Sequence, residues 1–249
     1  VPLASPLILL HPFPFDRRFW DPLRAQLAPG RPVVCPDMPG FGDAARRPGW
    51  SIADAADAIG ARIADELPGG RAAVCGLSMG GYVALALARR APERIAALVL
   101  ADTRGEADSD EARAGRAAAI AAIEADGLER FVDAQLERLL AVGSPGEIRC
   151  RLRAIAAEQP PESVTDALRA LAGRPDRTGE LAAIEAPTLV IVGDDDAITP
   201  PDAAGALASG IAGATLRVMP GVGHLSAAEA PKEFAEHLER FLAGAAHPA

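Results

Sequence analysis

The chain is poor in the residues that would mark a disulfide scaffold, a membrane protein or a nucleic-acid binder. Cysteine occurs three times, at Cys35, Cys75 and Cys150, with no CxxC pair. An odd number cannot close a full disulfide framework, and Cys35 and Cys75 lie in apolar runs where buried, inert thiols are the default. No apolar run reaches the length of a membrane-spanning helix. The opening stretch VPLASPLILLHPF is apolar, but it lacks a basic leader and is broken by prolines, so it reads as a strand and not as a signal peptide. Together these features lead to the expectation of a cytoplasmic protein without a membrane partner. Lys232 is the only lysine among 25 basic residues, which face 34 acidic ones for a formal charge of −9. With no basic stripe, that balance argues against a nucleic-acid partner. The phosphate-loop patterns GxGxxG and GxxxxGK[ST] are missing as well.

What remains is ample for a core. The 249 residues are 49% hydrophobic and 24% charged, which fits one large domain or two modest ones. Short apolar runs bounded by Pro, Gly or Asp read as strands at Leu7–His11, Val33–Asp37, Ala72–Cys75, Ile95–Ala101, Thr188–Val192 and Thr215–Val218. Strands buried on both faces have this composition, so the sheet should be mostly parallel. Helical patterns separate them: Phe19–Leu27, Ile52–Leu67 with Ser51 and Asp54 as a capping box, Met79–Arg90, Pro201–Gly210 and Pro231–Leu242. The alternation predicts an α/β sandwich. One region breaks it. Between Asp102 and Ala186 the patterns at Glu111–Ala125, Leu128–Leu140, Glu147–Ala157 and Glu162–Leu171 are all helical. The expected division is therefore a core of residues 1–102 and 186–249, with residues 103–185 forming a helical cap inserted after the fourth strand. Such an insertion belongs over the strand C-termini, where open α/β sheets keep their sites.

The most specific signal is Gly76-Leu77-Ser78-Met79-Gly80, a G-x-S-x-G placed directly after an apolar strand and before a helix. In that context the serine sits on a tight turn with its hydroxyl lifted clear of the sheet, and the helix N-terminus favours developing negative charge. A serine needs a base, and only four histidines exist. His247 lies in a small-residue tail, and His237 sits in a helical run between acidic residues. His224 is on the glycine-rich loop after the last strand and is the expected general base. Its orienting acid should come from Gly193-Asp194-Asp195-Asp196 after the fifth strand. Three adjacent carboxylates are not all buried cheaply. Asp196, next to the apolar Ala-Ile step, is the leading candidate, Asp194 the next, and Asp102 a more distant one that reads more simply as a cap. After the first strand, His11-Pro12-Phe13-Pro14 offers one N–H between two prolines that have none. Phe13 and Met79 are thus the expected oxyanion donors. His11 reads as a loop organiser ahead of a base. The aspartate run lacks the alternating oxygen ligands of a calcium loop, so no metal and no cofactor are expected.

These segments resemble the α/β-hydrolase superfamily over nearly the whole chain. LLHPFPF resembles its oxyanion loop, CPDMPGFGDA its D-x-x-G-x-G segment, GLSMGG its nucleophile elbow, VIVGDDDAITP its acid loop and MPGVGHL its histidine loop. The resemblance implies Ser78 as nucleophile, Asp196 as acid and His224 as base, in the chain order of that family. It also implies a sheet with Val33–Asp37 at one edge. Two departures stand out: His11-Pro12 replaces the usual His-Gly, and six residues before Leu7 leave no room for an N-terminal antiparallel hairpin. The serine argues for acyl transfer to water, most like small-molecule carboxylesterases and enol-lactonases, acting on a small ester or lactone as a monomer or homodimer. Thioesterases, C–C bond hydrolases, cofactor-free haloperoxidase-like enzymes and a non-catalytic hydrolase-fold binding protein are the alternatives. Leucines and Ile155 along the cap helices predict a mostly apolar pocket. The cap arginines, among them Arg113, Arg116, Arg138 and Arg153, leave an acidic substrate open.

Overall fold

A computed structural model describes residues 6–245. The apolar runs form six strands: β1 (Leu7–Leu10), β2 (Val33–Val34), β3 (Ala72–Leu77), β4 (Ile95–Ala101), β5 (Thr188–Gly193) and β6 (Thr215–Met219). They lie in the order β2-β1-β3-β4-β5-β6, and every pairing is parallel. The central strands are apolar on both faces because both faces are covered. Leu7–Leu10 are wholly buried, each side chain contributing about 1.5–3 kcal/mol by its removal from water.

Helices flank the sheet. After α1 (Asp21–Arg24) and α2 (Ile52–Glu66), α3 (Met79–Arg90) packs on β1, β3 and β4, with α2 against its outer side. The capping box of Ser51 and Asp54 starts α2 as expected. The register is what builds a site. Leu10 pairs with Gly76, Gly76 with Leu100, Ala101 with Ile191 and Gly193 with Met219. The ends of β1, β3, β4, β5 and β6 therefore lie level along one rim, and the loops that leave them meet there.

Between β4 and β5 the chain forms α4 (Asp110–Asp126), α5 (Leu128–Leu139), α6 (Gly146–Ala157) and α7 (Pro161–Ala172). Helix α4 packs on α5 and α7, and α5 on α6. The chain then returns to the sheet and continues through α8 (Pro201–Gly210), α9 (Ser226–Glu229) and α10 (Pro231–Ala245). This is the expected α/β-hydrolase architecture with a helical insertion after the fourth strand.

Two local expectations change. The run Val33–Asp37 is an edge strand of only two residues, Val33 and Val34. Pro36 has no N–H for a ladder, and the Asp37 carboxylate is taken by Arg17 and by the Asp43 N–H. The helix read over Phe19–Leu27 is split: Asp16 caps a 3-10 turn at Arg17–Trp20, and Pro22 opens the single turn of α1. The expected lack of an N-terminal hairpin falls mainly on residues 1–5, outside the described residues, as does His247.

Candidate active site

Ser78 follows β3 directly with φ 53° and ψ −110°, a conformation that costs a non-glycine residue about 1–3 kcal/mol. The surroundings hold it there. Its N–H donates to the Ala101 carbonyl at 2.9 Å, and its own carbonyl accepts from Thr103 Oγ1 at 3.0 Å and from the first turn of α3. A Cβ on Gly76 would lie 2.2 Å from the Gly80 carbonyl oxygen, and one on Gly80 would lie 2.0 Å from that of Leu10. Only glycine lets the helix approach the strand this closely.

His224 Nε2 lies 2.8 Å from Ser78 Oγ, and His224 Nδ1 lies 2.8 Å from Asp196 Oδ2. With Asp196 charged, Nδ1–H donates to it, which leaves Nε2 to accept the serine proton. Asp196 is itself held. Its Oδ1 accepts from the N–H groups of Ile198 (2.8 Å) and Thr199 (2.9 Å), and its Oδ2 from the Thr199 hydroxyl (2.8 Å). Burial opposes its charge, but the bonds from His224 and Thr199 outweigh it and hold the carboxyl below the usual range.

The other two aspartates weighed as the acid do different work. Asp194 accepts from the N–H of Gly221 at 2.6 Å and so braces the histidine loop. Asp102 is wholly buried and bonds Gly193 N–H, Ser226 N–H and the Ser226 hydroxyl. Burial, reinforced by the nearby Asp196 charge, pushes its carboxyl well above the usual range. Of the two, Asp196 is held toward its charged form and Asp102 is pushed toward its neutral form.

Phe13 lines the cavity with Ser78 and His224, while Met79 is buried at the first position of α3. Neither N–H has an acceptor among the described residues. His11 Nε2 accepts from the Met38 N–H at 2.9 Å and Nδ1 faces the Pro12 carbonyl at 3.1 Å, so the ring ties two loops together. Burial lowers its pKa and keeps it neutral. His237 is half-buried on α10. Its side chain is 18% accessible, and it lies outside this cavity. Among the described residues, no three His, Cys, Asp or Glu side chains gather as a metal site would require.

Insertion and rim enclose a cavity of about 500 Å³. The expectation of a mostly apolar lining does not hold. Leu136, Leu152 and Ile155 are buried in the core, while Leu139, Leu168 and Leu171 reach the cavity. Helix α4 buries only Ile123 and turns polar residues inward, among them Glu111 and Arg116. Arg104, Asp108 and Gln135 also line the space, and the sequence reading missed them. Its one available signal was their position: Arg104 and Asp108 lie just past the end of β4, on the rim. The insertion is also tied to the histidine loop. The His224 N–H donates to the Leu139 carbonyl at 2.9 Å, and Glu229 accepts from the Ala141 N–H at 2.9 Å and the Ser144 hydroxyl at 2.5 Å.

Residues 7–237 match the family described as "Alpha/beta hydrolase family". The chain is 34% identical over 244 residues to a pimeloyl-[acyl-carrier protein] methyl ester esterase of Neisseria meningitidis, covering 94% of this chain and 89% of that one. Among solved structures it is similar to a thermophilic esterase from Thermogutta terrifontis with malate bound, at TM-score 0.92 and 34% identity, covering 97% and 90%. It is also similar to the enol-lactonase of Burkholderia xenovorans, at TM-score 0.85 and 27% identity, covering 96% and 92%.

Proposed function

The chain belongs to the alpha/beta hydrolase family, and from that premise we propose that it is a serine esterase that cleaves a small carboxylic ester through an acyl-enzyme. The observation that carries this is the unbroken chain of hydrogen bonds from Ser78 through His224 to Asp196. Ser78 Oγ attacks the ester carbonyl as its proton passes to His224 Nε2. Asp196 orients the ring and stabilises the imidazolium. The N–H groups of Phe13 and Met79 receive the oxyanion, preorganised because they bond nothing else. His224 then protonates the departing alkoxide, the alcohol leaves, and an acyl-Ser78 ester remains. Water attacks it with His224 again as base, and the released acid restores the serine. Burial and the nearby Asp196 charge push the Asp102 carboxyl toward its neutral form, which lessens its competition for the His224 proton.

In this reading residues 103–185 act as a cap over a core of 1–102 and 186–249. Lactone hydrolysis is the second reading. It uses the same steps with the leaving alkoxide still attached, and likeness to the enol-lactonase favours it. All the proposed site residues come from one chain, so a monomer suffices and a homodimer is compatible. The free cysteines Cys35, Cys75 and Cys150 support a cytoplasmic setting.

Turnover of 4-nitrophenyl acetate and butyrate tests the reading. Wild type should release nitrophenol, and Ser78→Ala should lower kcat by about 10³-fold or more. Equal turnover by the two proteins would overturn it.

A further inference from the structure

The cavity beside Ser78 is electrically unlike the rest of the molecule. The chain carries −9, yet Arg104, Arg116 and Arg138 line the space that Ser78 and His224 also line. Their charges are not matched locally. The fully buried Asp108 carboxylate serves three guanidinium groups at once: Arg116 Nε, Arg174 Nη1 at 2.6 Å and Arg104 Nη2 at 3.5 Å. Arg174 does not line the cavity, so the cavity-lining part of that cluster keeps one positive charge in excess, shared by Arg104 and Arg116. The remaining charged lining residues are Glu111 and Arg138, which form no ion pair with each other, so the lining as a whole stays positive. Two observations mark the excess as free to act. Arg104 Nε is buried with no hydrogen-bond partner on a side chain that is otherwise 27% accessible, and Arg138, exposed at the cavity mouth, makes no ion pair or hydrogen bond among the described residues. A buried N–H such as that of Arg104 Nε is costly to leave unused unless something accepts from it.

The geometry points to an anion subsite within the catalytic cavity. The substrate would be an ester or lactone that also carries a free carboxylate, set away from the reacting carbonyl and held by Arg138 and the Arg104/Arg116 pair. This rests on the esterase reading of Ser78 and names the substrate class of the same site. A carboxylate suits it because guanidinium groups present paired donors to two oxygens. The cavity volume also fits a compact molecule with room for both groups. In an acidic protein a positive cleft also draws an anionic substrate inward, although added salt screens that pull.

The test compares mono-4-nitrophenyl adipate with its neutral methyl ester, and 4-acetoxybenzoate with methyl 4-acetoxybenzoate. The two pairs place the charge on the acyl side and on the alcohol side. In at least one pair kcat/KM should favour the anion by about tenfold or more, chiefly through KM. Arg138→Gln should collapse that ratio, Arg138→Lys should retain part of it, and sodium chloride at about 0.5 M should reduce it in wild type. A ratio of one or below in both pairs overturns the inference, as does a ratio that Arg138→Gln leaves unchanged. Turnover of no ester by wild type overturns the esterase reading instead. Adipate binding by calorimetry then decides the subsite: binding to wild type that weakens in Arg138→Gln supports it, and equal or absent binding overturns it.

Discussion

Two buried aspartates beside one histidine carry opposite electrostatics, and the difference is set by their partners. Asp196 receives two backbone N–H groups, a hydroxyl and the His224 ring, whereas Asp102 receives bonds from Gly193 and Ser226 but sits deeper and faces the Asp196 charge. The linkage signs follow. A carboxyl with its folded pKa raised holds its proton while the unfolded chain loses it, so stability falls as pH rises above about 4, the ordinary carboxylate value. Asp102→Asn cannot ionise and escapes that loss. Its melting temperature should lie below wild type at pH 5, with the gap narrowing steadily toward pH 8. A gap that stays constant would mean that Asp102 is charged in the folded protein. The choice among Asp194, Asp195 and Asp196 could be argued from the apolar step after Asp196. The upward shift of Asp102 could not, because it comes from burial in the folded core and from the charge of Asp196, which is distant in the chain and outweighs the opposing bonds from Gly193 and Ser226.

At the scale of elements, strands and helices with strong local patterns were legible from sequence. Ile95–Ala101, Met79–Arg90 and Pro201–Gly210 appear with the bounds expected. Failures came where a partner decides the outcome. The run Val33–Asp37 begins with strand composition, but Pro36 offers no N–H and Arg17 claims Asp37 before a ladder can. The cap leucines have the right spacing for an apolar wall, yet which of them face one another and which face the cavity depends on how four helices dock. Their docking is pinned by Asp108, which lies just before α4 and binds Arg174, just after α7. Burial works against the Asp108 charge, but Arg116 and then Arg174 outweigh it and hold the carboxyl low. The stability it supplies is therefore present above about pH 4 and is lost as pH falls through the depressed value. Asp108→Asn would leave the guanidinium groups uncompensated, which costs about 3–5 kcal/mol for a buried pair. Hydrogen exchange should quicken in α4 and α7 while amides of β3 and β4 keep their protection. Uniform quickening would mean that core and insertion open together.

For the molecule as a whole, the bonds between the insertion and the histidine loop have an engineering consequence. The segment carrying Leu139, Ala141 and Ser144 is stitched to His224 and Glu229, so the expected base takes its backbone position partly from the insertion and not from the sheet alone. The insertion is thus not an interchangeable module. A chimera that receives residues 103–185 from a relative should fold, because the sheet and its flanking helices keep their own core. It should nevertheless turn over substrate slowly, since a misplacement of about 1 Å at a reacting group costs on the order of 10²-fold in rate. Grafting the donor's counterpart of residues 223–229 along with it should restore kcat. Natural recombination would meet the same restriction: two segments some 80 residues apart in the chain are inherited usefully only as a set.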